Sequence, residues 1–162
     1  LSAGGEVDLI VRKLNHLVAE GLDFDQVVDG ITAYQAKTKL LFVLAKVDNL
    51  VKNGRLSKLV GTVVGLLNIR MVGEASKTGT LELLQKARGQ KKAIKAAFDE
   101  LLKAGYAGGH ITIAHRNNEK FIEQFSALVR EKFAHAMIEV LPTSGLCSFY
   151  AEEGGLLMGY EI

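Results

Sequence analysis

Leu40-Leu41-Phe42-Val43-Leu44 is a run of five apolar residues without a polar interruption. The run has the length of a strand and is too short for a helix of ordinary length. Because every position is apolar, and not every second one, the pattern predicts a strand that is buried on both of its faces. We therefore expect a sheet built around this strand to form the centre of the fold.

Two amphipathic helices are predicted before this strand. Apolar residues recur at helical spacing between Gly4 and Glu20. A second helix is expected to start at Asp23, which together with Gln26, three residues later, fits a capping box. The apolar stripe that we expect this second helix to bury consists of Phe24, Val27, Val28, Ile31 and Tyr34.

After the strand, the patterns predict a short helix, a longer helix, a hairpin, and then strands that alternate with helices. The approximate segments are 47–53, 58–67, 69–75 and 80–87, 90–103, 110–115, 118–129, 137–141 and 156–162. Helices dominate the first half of the chain, and strands alternate with helices in the second. This order favours an α+β fold, a two-layer sandwich in which helices cover one face of a mixed sheet.

Composition limits the kinds of protein that this chain can be. Its 162 residues suffice for one domain, and 48% hydrophobic with 23% charged residues is typical of a globular chain. A net charge of +2 is too small to indicate nucleic acid as the main partner. A single cysteine, Cys147, excludes an internal disulfide, and no apolar run approaches the roughly 18 residues of a membrane span. A cytoplasmic location is expected.

The start of the chain indicates a fragment. Leu1 is not a methionine, no basic-then-apolar signal region follows it, and a helical pattern begins almost at once. We expect a chain cut from a longer protein.

The segment from Lys86 to Lys95 carries five cations and no acid. It spans the predicted end of a strand and the start of a helix, where free backbone N–H groups and Gly89 could bind an anion. Arg88 stands at the strand end, where ligands of open sheets tend to bind. The alternative is an ordinary solvated basic face. Arg55, after Asn53-Gly54 at a helix end, could equally serve only the helix dipole.

No catalytic or metal-binding set stands out. Cys147 has no histidine partner at a meaningful spacing, and the four histidines lack the spacing of zinc ligands. The pair Glu152-Glu153, beside two glycines, is more typical of an exposed turn than of an acid–base site. The sequence predicts neither a metal nor a cofactor.

The chain resembles the second domain of the DegV family, the fatty-acid-binding proteins that serve as the lipid-carrying subunit of bacterial fatty acid kinase. The resemblance runs along nearly the whole chain. Four motifs carry it, namely 38–44, 50–58, 65–69 and 86–93. It implies that residues 1–162 are a C-terminal lipid-binding domain and that a parallel-sheet N-terminal domain precedes it.

The resemblance also implies a head-group site. In the family, an arginine of a Gly-Arg-Ile/Leu motif and another after the hairpin hold the ligand carboxylate, and these match Arg55 and Arg88. Tyr150 stands where the family often has a histidine. Tyrosine can donate a hydrogen bond but cannot become cationic. The residues expected to line the acyl chain are Leu41, Val43, Val60, Val63, Val64 and Leu67.

The expected function is therefore non-catalytic binding. The protein would present a long-chain fatty acid to a separate kinase subunit and hold the acyl phosphate, with its own N-terminal domain completing the site. Transient contact with a membrane is compatible with this role. Two alternatives stay open: a small acyl- or phosphoryl-transfer enzyme using Tyr150, Glu152 and Arg88, and a protein or nucleic-acid contact module using Lys86 to Lys95. The nucleic-acid version lacks exposed aromatic residues for base stacking.

Overall fold

One mixed sheet organises the computed structural model, which describes residues 3–56, 68–76 and 79–162. The described strands are β1 (Thr38–Leu44), β2 (Ile69–Ala75), β3 (Leu81–Arg88), β4 (Ile111–His115), β5 (Ile138–Pro142) and β6 (Leu156–Glu161). They lie side by side in the order β3-β2-β1-β6-β4-β5. Neighbours are antiparallel, except that β4 and β5 are parallel. The predicted α+β class and mixed sheet are confirmed.

The helices follow the sequence-based segments closely. The described helices are α1 (Gly5–Ala19), α2 (Phe24–Gln35), α3 (Asp48–Lys52), α4 (Gln90–Lys103), α5 (Glu119–Lys132) and α6 (Gly145–Ala151). The short helix α6 lies in a stretch of small residues for which the sequence predicts no element. The predicted helix over residues 58–67 lies outside the described residues.

Strand β1 lies inside the sheet, between β2 and β6, as its apolar run predicts. Its side chains alternate between two apolar clusters on opposite faces. Leu41 and Val43 belong to the larger cluster, which α4 and α5 cover. Phe42 and Leu44 belong to a smaller cluster on the other face, with Met71. Both Phe42 and Val43 are fully buried, so the strand is covered on both faces.

Helix α1 packs on the same face as the smaller cluster, against β6 and β4. Glycines make this close approach feasible. The α-carbon of Gly159 on β6 faces the backbone of Glu6, and Gly5 faces the carbonyl oxygen of Thr112. A Cβ at Gly5 or Gly159 would overlap those backbone atoms. Helices therefore lie on both faces of the sheet, where the sequence led us to expect them on one.

The apolar stripe of α2 is not buried, which differs from the sequence-based expectation. No residue of α2 is fully buried, and the side chain of Phe24 is 80% exposed. Helix α2 lies mainly against α1 and β1, and the Tyr34 hydroxyl donates a hydrogen bond to the Glu161 carboxylate of β6 at 2.7 Å. Helix α1 likewise leaves a stripe exposed, which consists of Val7, Val11, Leu14 and Val18. The helical periodicity is correct, but the described chain covers the stripe of α2 only in part, since Val27, Ile31 and Tyr34 are half-buried and Phe24 and Val28 are exposed.

The capping box at the start of α2 is confirmed. The Asp23 side chain accepts a hydrogen bond from the Gln26 backbone N–H at 2.9 Å. The Gln26 side chain accepts one from the Asp23 N–H at 3.0 Å. We expect Asp23→Ala to lower the free energy of unfolding by about 1 kcal/mol, because the Gln26 N–H in the first turn loses its side-chain acceptor. Urea denaturation followed by circular dichroism measures this change.

The control for that substitution is Asp29→Ala, because Asp29 lies exposed in the interior of the same helix and caps nothing. Alanine has the higher helix propensity at such a position, so the control should be neutral or slightly stabilising. Equal destabilisation by both substitutions would contradict the role of the capping box.

Candidate functional site

Strand and helix ends meet at one edge of the sheet, which we call the upper edge. Four strands end here, namely β1, β3, β4 and β5, and two begin here, namely β2 and β6. The strand pairings show this: Leu44 pairs with Met71, Ile69 with Arg88, and His115 with both Leu156 and Pro142. Helices α4 and α5 start at this edge, and neither has a side-chain cap for its first N–H groups. The three residues predicted to hold a head group all belong to segments at the upper edge.

Arg55 and Tyr150 are brought together. The chain leaves α3 through Gly54, whose φ of 69° is in the left-handed region that glycine tolerates. The Arg55 N–H then donates to the Leu50 carbonyl at 2.8 Å, which orders the backbone at Arg55. Its guanidinium carbon lies 5.0 Å from the centroid of the Tyr150 ring, a cation–π contact. Arg55 therefore has a defined partner and is not merely a charge at the helix end.

Arg88 is the last residue of β3 and lies opposite Ile69. Alternation along the strands places it on the same face as Met71, the face on which Arg55 and Tyr150 lie. It is exposed, and no ion pair joins it to another described residue. Its guanidinium is therefore available to an anion at the upper edge.

The apolar surface next to these residues differs in part from the predicted acyl lining. Leu41 and Val43 point to the larger cluster, on the face opposite to Tyr150. Val60, Val63, Val64 and Leu67 lie outside the described residues. The smaller cluster, into which Tyr150 packs, contains Phe42, Leu44 and Met71. The assignment of Leu41 and Val43 to the acyl-chain lining stays a prediction. Their neighbours Phe42 and Leu44 are the β1 residues on the same face as Arg55 and Arg88.

Glu152 connects the two segments that carry Arg55 and Tyr150. Its carboxylate accepts a hydrogen bond from the backbone N–H of Asn49, in the first turn of α3, at 2.8 Å. Glu152 itself has a φ of 53°, which is unusual for a residue with a side chain. Glu153 instead approaches Arg116, at 3.8 Å. The predicted turn is present at residues 153–154 with Glu153 exposed, and both glutamates have structural partners in addition.

Arg70, at the start of β2, was not singled out from the sequence. Its Nε and Nη1 atoms are shielded from solvent and have no hydrogen-bond partner among the described residues. Burial lowers the pKa of the Arg70 guanidinium below its usual value, with no neighbouring carboxylate to oppose the shift. The signal was present in the sequence, because Arg70 is a cation between the apolar Ile69 and Met71 of a strand.

The other titratable residues form no comparable site. Cys147 is half-buried on α6. Within residues 3–56, 68–76 and 79–162, no group of histidine, cysteine or carboxylate side chains could hold a metal ion. In the basic segment, Lys95 pairs with Asp99 at 2.8 Å, beside a shallow open cleft lined by Lys91 and Lys92. No helix of the described residues is long and apolar enough to cross a membrane.

These observations define the class of the protein: an open mixed-sheet α+β domain with unpaired arginines at one edge. The chain belongs to the DegV family: the sequence model of "Uncharacterised protein, DegV family COG1307" matches residues 1–160. A DegV domain-containing protein of Streptococcus pneumoniae strain R6 is 76% identical over all 162 residues, which make up 58% of that relative. The chain therefore spans less than two thirds of the curated relatives that it matches.

Two solved structures show the same fold with a ligand. The fatty acid kinase B3 protein of Streptococcus pneumoniae, loaded with linoleic acid, is 76% identical, with a TM-score of 0.97 over 99% of this chain and 57% of that one. A DegV family protein from Eubacterium eligens, loaded with heptadecanoic acid, is 36% identical, with a TM-score of 0.94 over 99% of this chain and 58% of that one. The matches cover the whole sheet and both helical layers.

Proposed function

We propose that this chain is the second domain of a fatty-acid-binding protein and holds the anionic head group at its upper edge. The observation that carries the proposal is the Arg55–Tyr150 stack, with Arg88 on the same face and an apolar cluster directly beside it. Relatives of the same fold bind linoleic and heptadecanoic acid, which supports this choice of ligand.

The acyl chain and the carboxylate of a fatty acid need different kinds of contact. A chain of about sixteen carbons gains roughly 0.8 kcal/mol for each buried CH₂ group, so apolar surface supplies most of the affinity. Phe42, Leu44 and Met71 are themselves fully buried, so the half-buried residues at the border of their cluster, among them Val51, Leu56 and Leu157, are the described residues that fit this role. The carboxylate must keep donors when it leaves water, and arginine supplies two parallel ones. Arg55 and Arg88 fill that need.

The rest of the site would come from the part of the protein that this chain does not span. The exposed apolar stripes on α1 and α2, with Val18 and Phe24 at 59% and 80% exposure, are what a further domain would cover. We propose that a parallel-sheet domain packs near this chain and closes the lipid site with it.

The chemistry would take place in a separate kinase subunit. Glu152, the carboxylate best placed beside Tyr150 for acid–base work, is occupied with the α3 backbone. The proposed role is to present the fatty acid to the kinase and to hold the acyl phosphate afterwards. This arrangement needs no catalytic group on the chain itself.

Lipid extraction tests the proposal. The full-length protein is purified from bacterial cells, its lipid is extracted, and the extract is analysed by mass spectrometry. We expect about one long-chain fatty acid for each protein molecule, and phosphorylation of that acid only after the kinase subunit and ATP are added. Absence of bound fatty acid together with failure to bind added oleate or palmitate would contradict the binding role. Turnover without the kinase subunit would favour the enzyme alternative instead.

A further inference from the structure

Arg70 is a half-buried cation that has no counter-ion among the described residues. Nε and Nη1 of its guanidinium are shielded from water, yet neither donates to a described residue. Two exposed arginines, by contrast, have partners: Arg12 pairs with Asp8 and Glu139 at 2.7 and 3.0 Å, and Arg116 donates to the Ser148 carbonyl at 3.0 Å. Proteins rarely bury an arginine in this state, because the lost hydration needs a hydrogen-bonded partner. Its position therefore indicates a partner that these residues do not supply.

The location of Arg70 restricts where that partner lies. Arg70 stands opposite Ala87, on the face of the sheet that α4 and α5 cover. Its Nη1 atom lies 3.8 Å from the position that a Cβ would take on Gly154, in the turn that leads into β6. The missing partner is therefore at the upper edge, beneath the turn that follows Tyr150.

The arginines approach the upper edge from two sides. Arg88 lies on the same face as Met71. Arg70 follows Ile69, the β2 residue that pairs with Arg88, and therefore lies on the opposite face. The two acids that follow Tyr150 have other partners, since Glu152 accepts from the Asn49 backbone and Glu153 approaches Arg116. An anion lying across the edge would thus meet guanidinium groups from both faces of the sheet.

We propose that Arg70 is a further binding residue for the ligand and donates to an oxyanion of its head group, the carboxylate of the fatty acid or the phosphate of the acyl phosphate. This inference rests on the proposed function, because it takes the head group to lie at the upper edge. The Nε and Nη1 groups fit the parallel, two-bond contact that arginine makes with carboxylates and phosphates. A phosphate, with its larger charge, should depend on Arg70 more strongly than a carboxylate.

The test compares charged and uncharged ligands of one chain length in the full-length protein. Binding of oleate, oleyl phosphate and oleyl alcohol is measured for the unmodified protein, Arg70→Met and Arg70→Lys, with Arg130→Met as the matched control. Arg130 lies exposed in the last turn of α5, at the far end of that helix from the upper edge. We expect Arg70→Met to weaken oleate binding about tenfold and oleyl phosphate binding more, with the alcohol unchanged. Arg70→Lys should give intermediate values.

Three outcomes would overturn the inference. Equal weakening of all three ligands, together with a lower melting temperature, would show that Arg70 pairs with an acid elsewhere in the protein. Unchanged binding of the anions by Arg70→Met would show that Arg70 needs no ligand. Loss of anion binding in Arg130→Met as well would show a general charge effect.

A lipid-free measurement separates this inference from the proposed function. Inorganic phosphate should raise the melting temperature of the unmodified protein and of Arg130→Met, but not that of Arg70→Met. That result supports an oxyanion site at Arg70, whether or not the protein binds lipid. If the unmodified protein binds neither oleate nor oleyl alcohol, only the proposed function is contradicted. If phosphate shifts the melting temperature of Arg70→Met as strongly as that of the unmodified protein, the oxyanion site is refuted.

Discussion

Gly159→Val is expected to lower the free energy of unfolding by about 3 kcal/mol or more. Gly159 lies on β6 directly beneath the first turn of α1, and a Cβ there would overlap the backbone nitrogen and α-carbon of Glu6. Backbone atoms cannot rotate away as the end of a flexible side chain can. Helix α1 would therefore have to move off the sheet and expose Leu9, which is 1% accessible. Guanidinium denaturation of the full-length protein measures the change.

Gly30→Ala is the matched control for that prediction. Gly30 lies within α2, and its added methyl group would meet the end of the Leu17 side chain at 2.8 Å. That side chain can shift, and alanine gains roughly 0.5–1 kcal/mol of helix propensity over glycine. We expect a change close to zero. If Gly159→Val were as mild as Gly30→Ala, the close contact between α1 and β6 would not exist in the folded protein.

The second large effect is expected from the double substitution Arg55→Ala/Arg88→Ala. A hydrogen bond to a charged group contributes roughly 1.5–3 kcal/mol, so loss of both arginines should weaken oleate binding about 100-fold or more. Stability should change little, because both side chains are exposed and Arg55 loses only its contact with Tyr150. Displacement of a fluorescent fatty acid by oleate measures the affinity of the full-length protein.

A control double substitution, Arg130→Ala/Lys132→Ala, removes the same charge from the last turn of α5, at the opposite edge of the sheet. Oleate binding should stay within about threefold of the unmodified value, because exposed charges at that distance are largely screened. A similar loss in both double variants would mean that net charge, and not the position of Arg55 and Arg88, governs binding.

The apolar run at β1 shows what the sequence could and could not predict. Five apolar residues in succession require cover on both faces, and the structure provides it. The same run argues against a sheet that helices cover on one face only, which is the arrangement that the order of the elements favoured. Helix α1 buries few of its apolar residues, among them Leu9 and Leu17, and reaches the sheet mainly through glycine contacts. The spacing of apolar residues along the sequence gives no signal for a contact made by glycines.

The site was predicted in part. Arg55 and Tyr150 were proposed from separate motifs almost a hundred residues apart, and the structure places them 5.0 Å apart. The side of β1 on which Arg55 and Tyr150 lie was not predictable, because a strand that is apolar throughout gives no sign of which face is which. Arg70 was missed because an isolated arginine in a strand is usually paired, and the lack of a partner is visible only in three dimensions.

The hydrogen bond between Glu152 and Asn49 has a consequence for the entropy of ligand binding. It joins the end of α6 to the start of α3, and a second bond from the Asn49 side chain to the Phe149 carbonyl, also 2.8 Å long, reinforces the junction. The two segments that present Arg55 and Tyr150 are thus immobilised relative to each other when the chain folds. For the proposed fatty acid, ordering of these two segments would then add little to the entropic cost of binding, because this part of the surface is already formed without the ligand.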